Sequence, residues 1–443
     1  NRSYFYPAAS ASVSVLDALE VFSNTFDFIK LRGGWAQVGN DTDPYLLNKV
    51  YNVNGTLQTT PAPTASLPFT PAGGTTVPGL TLTDIERNPD LNPERTTEYE
   101  VGLDFRMFKG RLTVDATYYD KRTADQIIQI AVPNSSGFAQ YLTNFGEVSN
   151  KGIELAVGIS PIRRPNGLVW STFTTFTRNR NVIEELAPGI EEVQIEPGSS
   201  FAGSVIGVHR PGEEFGMLLG AVNVRDDEGN LLIDPGSGQL IRALEQDIIG
   251  NPNPDFRLGF VNTFSYKGVS LRAVLDWQQG GDLFSNTVRS MMGRGVTTDT
   301  EDREVMAVIP GVYGDPNTLE PITNEAGEKI PNQTMIEVNS LYFGETFAIN
   351  AADEWAVFDA SYLKIREVVL SYAFPARWID RMPFSGVTLS LTGRNLWYYA
   401  PGFPDGTNYD PEVNQFGSTN KQGIEYSATP TVRRYGASLR VQF

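Results

Sequence analysis

Apolar and polar side chains alternate along this chain in repeated runs of about ten residues, the period of an extended strand with two unlike faces. In Glu98–Met107, Tyr99, Val101, Leu103 and Phe105 share one face, and Glu100, Asp104 and Arg106 the other. Arg111–Asp120 sets Leu112, Val114, Ala116 and Tyr118 against Thr113, Asp115 and Thr117. Lys151–Ser160 sets Ile153, Leu155, Val157 and Ile159 against Gly152, Glu154 and Gly158. Comparable runs are Tyr4–Val15, Phe28–Val38, Leu168–Thr177, Arg257–Tyr266, Val269–Gln278, Tyr362–Phe374 and Val387–Leu396. The last is Arg433–Phe443, RRYGASLRVQF, where Tyr435, Ala437, Leu439, Val441 and Phe443 face away from Arg434, Ser438 and Arg440. The pattern predicts about eleven antiparallel strands, each near the length a tilted membrane strand needs.

The connections strengthen this reading, because they alternate in length. Short ones fall near 16–27, 108–110, 161–167, 267–268 and 375–386. Long ones fall near 39–97, 121–150, 178–256, 279–361 and 397–432. An outer-membrane barrel has short periplasmic turns and long extracellular loops, and antiparallel order forces them to alternate. Aromatic residues sit where two interfacial girdles would be. Trp35, Tyr118, Tyr119, Phe176, Trp277 and Trp397 mark one rim, and Phe105, Phe108, Phe264, Tyr266, Phe374 and Phe443 the other. At ~3.3 Å per residue and a tilt near 45°, the two sets stand roughly 20–25 Å apart. The competing explanation for so many aromatics is a soluble β core.

Composition narrows the class. Hydrophobic content is 40% and charge 20% over 443 residues, which is ordered-protein composition. Mean hydropathy is −0.23, and the sequence holds no run long and apolar enough for a helical span. With no cysteine, disulfides and thiolate chemistry are excluded. A net charge of −17 argues against nucleic acid as a partner. The sequence opens at Asn1, and an exported protein is expected either to have lost a signal peptide or to continue upstream of that residue. An odd antiparallel count cannot close on itself, and an open edge in hydrocarbon is costly. The expectation is therefore that residues 1–443 form the C-terminal half of a plugged barrel of about 22 strands, with the plug and N-terminal strands supplied from elsewhere.

Several segments resemble the SusC/RagA group of TonB-dependent outer-membrane transporters. They are NPDLNPERTTEYEVGLDFRMFKGRLTVDATYYDKRTADQI (Asn88–Ile127) and NFGEVSNKGIELAVG (Asn144–Gly158). YLKIREVVLSYAFPARWIDRM (Tyr362–Met382) and VTLSLTGRNLWYYA with YDPEVN (Val387–Asn414) complete the set. The resemblance implies TonB-dependent import of an oligosaccharide or oligopeptide across the outer membrane of a Gram-negative bacterium. It further implies a SusD-like surface lipoprotein as lid and the TonB complex as energy source. No enzymatic step and no cofactor is implied. The strand carrying Tyr435, Leu439, Val441 and Phe443 is expected to close the barrel and to be read by the barrel assembly machinery. A passive porin or adhesion barrel, and a secreted β-rich carbohydrate-active enzyme, are the rival readings.

Sites for chemistry are sparse. His209 lies in a long loop and reads as a packing residue. Glu213-Glu214 and Asp226-Asp227 could be imagined as glycosidase carboxylates, but RDDEGN (Arg225–Asn230) reads as a turn and lacks EF-hand spacing. No phosphate-binding glycine loop occurs. Glu100, Asp104, Arg106, Arg111, Asp115, Glu154, Arg272, Asp276, Arg394 and Arg440 fall opposite the apolar face, so they should line a wet lumen and pair across strands. Of the loop aromatics, Tyr342, Trp355, Phe403 and Tyr409 are the candidates for substrate contact, with small loop cores as the alternative use.

Overall fold

A computed structural model describes residues 5–443, apart from 43, 45, 49, 50, 54, 55, 58–64, 67–79, 145, 166, 187, 188, 196–204, 344–351, 381, 414–421 and 430. Tyr4, at the start of the first predicted strand, lies outside them. Eleven strands form one sheet in strict chain order. They are β1 (Ala8–Ser14), β2 (Phe26–Asn40), β3 (Glu94–Met107), β4 (Leu112–Ala124), β5 (Glu147–Arg163) and β6 (Val169–Glu185). The rest are β7 (Pro254–Tyr266), β8 (Val269–Gly280), β9 (Tyr362–Ala373), β10 (Gly386–Tyr399) and β11 (Arg434–Gln442). Every neighbouring pair is antiparallel.

All eleven predicted strands are present, and several run further than predicted. β5 and β6 are each 17 residues long. Their extra length is at the long-loop end, where Arg178–Glu185 carries polar residues on both faces. A strand that leaves the apolar band keeps its ladder but loses the two-faced signature. β7 and β8 join through Lys267 and Gly268, both at positive φ (46° and 86°), the two-residue turn that matches strand twist.

The wall is one layer thick. Tyr99 and Val101 are 58% and 62% exposed on its outer face, with Leu31, Tyr118, Ile153, Leu370 and Leu391 beside them. Buried apolar residues lie in loops or at strand ends, and none in the middle of a wall strand. No described layer covers the outer face, so a soluble sandwich core is excluded and hydrocarbon is the solvent that suits it. The faces are those of an antiparallel transmembrane β-barrel. Among the described residues β1 and β11 each pair on one side only.

The two girdles form where expected, with one correction. Trp397 stacks on Tyr399 at 6.5 Å, and Phe256 bridges Phe176 (5.6 Å) and Trp277 (5.2 Å) at the long-loop rim. Phe26–Phe105, Trp170–Phe264, Tyr372–Phe374 and Phe384–Phe443 pair at the other. Tyr119 does not belong to the first girdle. It follows Tyr118 directly, so it points to the opposite face, and its hydroxyl reaches Asn179 Oδ1 (3.0 Å) over Gly152.

The long loops fold into a cap on one rim. A four-stranded sheet (Val193–Ile195, Ile206–His209, Met217–Asn223, Arg242–Gly250) comes from the β6–β7 loop. Asp282–Ser285 pairs with Val357–Asp359 and, in parallel, with Ile424–Glu425, joining the β8–β9 and β10–β11 loops. Their contact holds a core of Val205, Leu218, Phe284, Ala356 and Ile424. The helix Asn286–Gly293 (α1) starts there. Ser285 caps it, and the buried Glu425 accepts from the Thr287 hydroxyl (2.6 Å) and amide (3.2 Å) at its N-terminus.

Candidate functional site

Two sets of charged side chains occupy the inner face of the wall. The first centres on Arg32 of β2. Asp104 of β3 and Asp115 of β4 face each other directly, an unfavourable like-charge pair. Arg32 relieves it by donating to Asp104 (2.5 Å), Asp115 (3.0 Å) and Glu100 (3.3 Å), and to the Thr117 hydroxyl. Gly102, opposite Arg32, leaves room for the guanidinium to cross, because a Cβ there would lie 2.3 Å from Arg32 Nε. The second set joins Glu367 of β9 to Arg272 (2.7 Å) and Arg394 (2.9 Å) on the flanking strands.

At the long-loop rim the wall is fastened to the cap. A bulge in β9 shifts register between Ile365 and Glu367 against both neighbours. Lys364, Arg366 and Glu367 therefore all reach the inner side. Lys364 and Asp410, 4% and 2% exposed, form an ion pair. Glu412 accepts from Lys364 Nζ (2.7 Å), from Arg366 and from the Tyr362 hydroxyl (3.0 Å). Asp276 accepts from Arg366 Nε (2.8 Å) and the Tyr362 hydroxyl (3.3 Å). Burial opposes ionisation of Glu412, but the hydrogen bonds from Arg366 and Lys364 outweigh it and hold its pKa at about 2. The YDPE segment (Tyr409–Glu412) is thus the strap that ties the β10–β11 loop to β9, with Asp276 of β8 sharing Arg366 and Tyr362.

The other signature segments are fasteners too. Asn144 donates to the carbonyls of Asn92 (2.7 Å) and Asp125 (2.8 Å) and accepts from the Asn92 amide (2.8 Å). Glu94 accepts from the Ile127 amide and from Asn40, both at 3.0 Å. These bonds join the β2–β3 and β4–β5 loops at the outer ends of β2–β5. Further round, Asn181 and Asn253 grip both backbone groups of Phe215, at 2.7 and 2.9 Å.

The loop aromatics sit in the cap cores. Phe403 and Tyr409, 8% and 5% exposed, stack at 5.5 Å in a cluster with Leu283, Val288 and Met292, against which Tyr342 packs. Trp355 packs on a second cluster with Ile233 and Ile336 and donates its indole N–H to Asn223 Oδ1 (2.6 Å). Both half-buried residues, Tyr342 and Trp355, keep some open surface. On β11, Tyr435, Leu439 and Phe443 are exposed and Val441 is half-buried, with Tyr435 lying opposite Gly393. Beside Trp355 the cap holds a cleft of about 500 Å³, lined by Asn223, Arg225, Asp247, Asp282 and Glu354 over Val222, Ile248, Ile249 and Val357.

His209 and the paired loop carboxylates sit in structural contacts. His209 is buried against the Phe215 ring (4.1 Å), and burial lowers its pKa to about 4. Glu214 accepts from Asn251 (3.1 Å). Asp226 closes the RDDEGN turn by accepting from the amides of Glu228 (2.9 Å) and Asn230 (2.8 Å), while Lys329 binds its other oxygen at 2.9 Å. The ammonium fills the position a cation would need. Among the described residues no group of three or more acidic, His or Cys side chains could hold a metal. Simple alternation missed Lys364, Arg366 and Glu367, since the bulge breaks the period. Arg32 was open to discovery, because it alternates with Leu31 in FIKLRGG.

A family model described as "TonB dependent receptor-like, beta-barrel" matches residues 1–396. TonB-dependent receptor P3 of Formosa agariphila is 26% identical over all of this chain and 42% of its own length. TonB-dependent receptor SusC of Bacteroides thetaiotaomicron is 22% identical over 95% of this chain and 38% of its own. The structure of a RagAB peptide transporter superposes with a TM-score of 0.68 at 18% identity, covering 100% of this chain and 44% of that one. A RagAB peptide importer in a "closed-closed" state superposes at 0.69 with 20% identity, again over 100% and 44%. The chain thus spans about two fifths of the length of the relatives it matches.

Proposed function

Since the chain belongs to the TonB-dependent receptor-like β-barrel family, whose members are outer-membrane barrels of Gram-negative bacteria, we propose that it forms one half of the wall and most of the cap of a nutrient importer. The remainder of the protein would supply the plug and an odd number of further strands, about eleven, so that β1 and β11 gain partners and the ring closes. Imported ligands would be oligopeptides or oligosaccharides, captured under a SusD-like lipoprotein seated on the cap. The RagAB neighbours support the peptide option. TonB would drive release through the periplasmic side, and no covalent chemistry is involved. Tyr342 and Trp355 are the loop aromatics with surface left for ligand, while Phe403 and Tyr409 would stiffen the cap beneath. Tyr435, Leu439, Val441 and Phe443 would form the strand that meets the first strand of the barrel and is read by the barrel assembly machinery.

The carrying observation is the pairing of a one-layer wall, apolar outside and charged inside, with a folded cap that, among the described residues, stands on one rim. A passive pore needs wide access, whereas here three loops share cores over the wall. The test is uptake of labelled oligopeptides and oligosaccharides by cells carrying the full-length protein, with and without TonB. Uptake lost with TonB supports the proposal. Uptake that persists without TonB, together with open-channel conductance in planar bilayers, would replace importer by porin.

A further inference from the structure

The cleft beside Trp355 carries an electrostatic asymmetry. Three of its four charged lining groups are held in ion pairs. Glu354 binds Arg225 (2.8 Å) and accepts from the Asn223 amide (2.6 Å), and Asp247 binds Arg210 (3.1 Å), which stands outside the lining. The fourth, Asp282, has no cationic partner among the described residues, and it accepts a hydrogen bond from the Asn251 amide (2.7 Å). Behind it, Asp359 and Asp255 add negative potential. Asp359 accepts from Ser361 (2.6 Å) rather than from a cation. Burial pushes the Asp282 carboxyl above the usual carboxylate range, and these two neighbours push in the same direction. A half-buried, uncompensated carboxylate in a concave site with Ile248, Ile249, Val222 and Val357 behind it focuses field on whatever enters.

We infer that this cleft binds a ligand bearing an ammonium group, with Asp282 as its counter-ion, the apolar floor taking the adjacent carbon chain and Trp355 lying at its edge. Two ligand sources share that chemistry, a peptide with a free amine and an oligomer of an amino sugar. The inference deepens the import reading by naming the ligand's charge, but binding can be measured apart from uptake.

Full-length protein in detergent is titrated calorimetrically with tetralysine and with a glucosamine tetramer, each beside its fully N-acetylated form. A charged form of at least one ligand should bind about tenfold tighter than its acetylated partner, an ordinary size for one partly desolvated ion pair. Asp282→Asn should abolish that ratio and Asp282→Glu should retain it. Folding of each variant is checked by heat-modifiable migration on a gel. Preference for tetralysine identifies a peptide, and for glucosamine an amino sugar. Equal affinity for charged and acetylated forms, absence of binding, or a ratio unchanged in Asp282→Asn overturns the inference. Binding without TonB-dependent uptake would leave the cleft intact and sink the import reading, and uptake without charge preference would do the reverse.

Discussion

Leu391 of β10 offers a decisive trial of which solvent bathes the outer face. It is 52% exposed and pairs with Leu370 of β9 and Ala437 of β11. Six residues separate it from Trp397 at the cap rim, and five from Gly386 beside the Phe384–Phe443 pair. At ~3.3 Å per residue and a tilt near 45°, it lies roughly 14 Å from one girdle and 12 Å from the other. Leu391→Arg therefore puts a guanidinium at the midplane, further from either interface than the side chain can reach. In a membrane that costs about 2–4 kcal/mol. On a water-exposed surface the same change would stay within about 0.5 kcal/mol. The neighbouring Thr392→Arg, which faces inward beside Val369, is the matched control and should be nearly neutral. The assay is refolding of full-length variants into lipid vesicles, followed by urea titration. Equal stability of Leu391→Arg and the parent protein would refute the assignment of that face to lipid.

Three further outcomes follow from the fasteners and the buried groups. Asp410→Ala removes the buried partner of Lys364 and leaves it Glu412, so the β10–β11 loop should loosen by less than the about 3–5 kcal/mol of a fully broken buried pair and become sensitive to limited proteolysis. Gly152→Ala places a methyl 2.3 Å from the Tyr119 hydroxyl and 2.8 Å from the Arg178 carbonyl oxygen, and should cost about 1–3 kcal/mol in the same vesicle assay. His209 is held at about 4 against an ordinary 6.5, so its unfolded form binds protons first on acidification. Its contribution is complete above about pH 6.5 and is lost as pH falls towards 4, a difference of about 3 kcal/mol. Tryptophan fluorescence of the cap should show acid sensitivity in that window, and His209→Phe should remove it.

The wall was legible because lipid and lumen impose one rule on every strand, and that rule has a period of two. The strand positions, the alternating connections and most girdle residues can be read from it. Tyr119 shows where reading by residue type outruns the rule, since adjacent tyrosines must face opposite ways. Arg366 and Glu367 show where the rule breaks, since a single extra residue reverses parity and sequence carries no local mark of it. The cap was illegible for another reason. Its cores join Val205, Phe284, Ala356 and Ile424, residues up to 219 positions apart, and no periodic signal links them. Loop aromatics such as Phe403 and Tyr409 carry the same composition whether they bind ligand or fill a core, so burial alone tells them apart.

The two regions obey opposite burial rules, and the charged strap lies where the rules change over. In the wall, charge must face inward because hydrocarbon lies outside. In the cap, water lies outside, so apolar groups face inward. Lys364 belongs to a strand and Asp410 to a loop, so their pair sits on the boundary, where neither an apolar core nor open solvent is at hand to satisfy either group. Burying such a pair is rarely a net gain in stability, whereas breaking it is expensive. What the arrangement secures is geometry. Glu412 is held ionised by two cations, and Tyr409 in the same segment packs in one core with Leu283, which follows Asp282, and with Val288 of α1. If the cleft reads a ligand's charge as proposed, its counter-ion must be fixed relative to the wall, and the packing of Tyr409 on Leu283 beside Asp282 is a described contact that would do so.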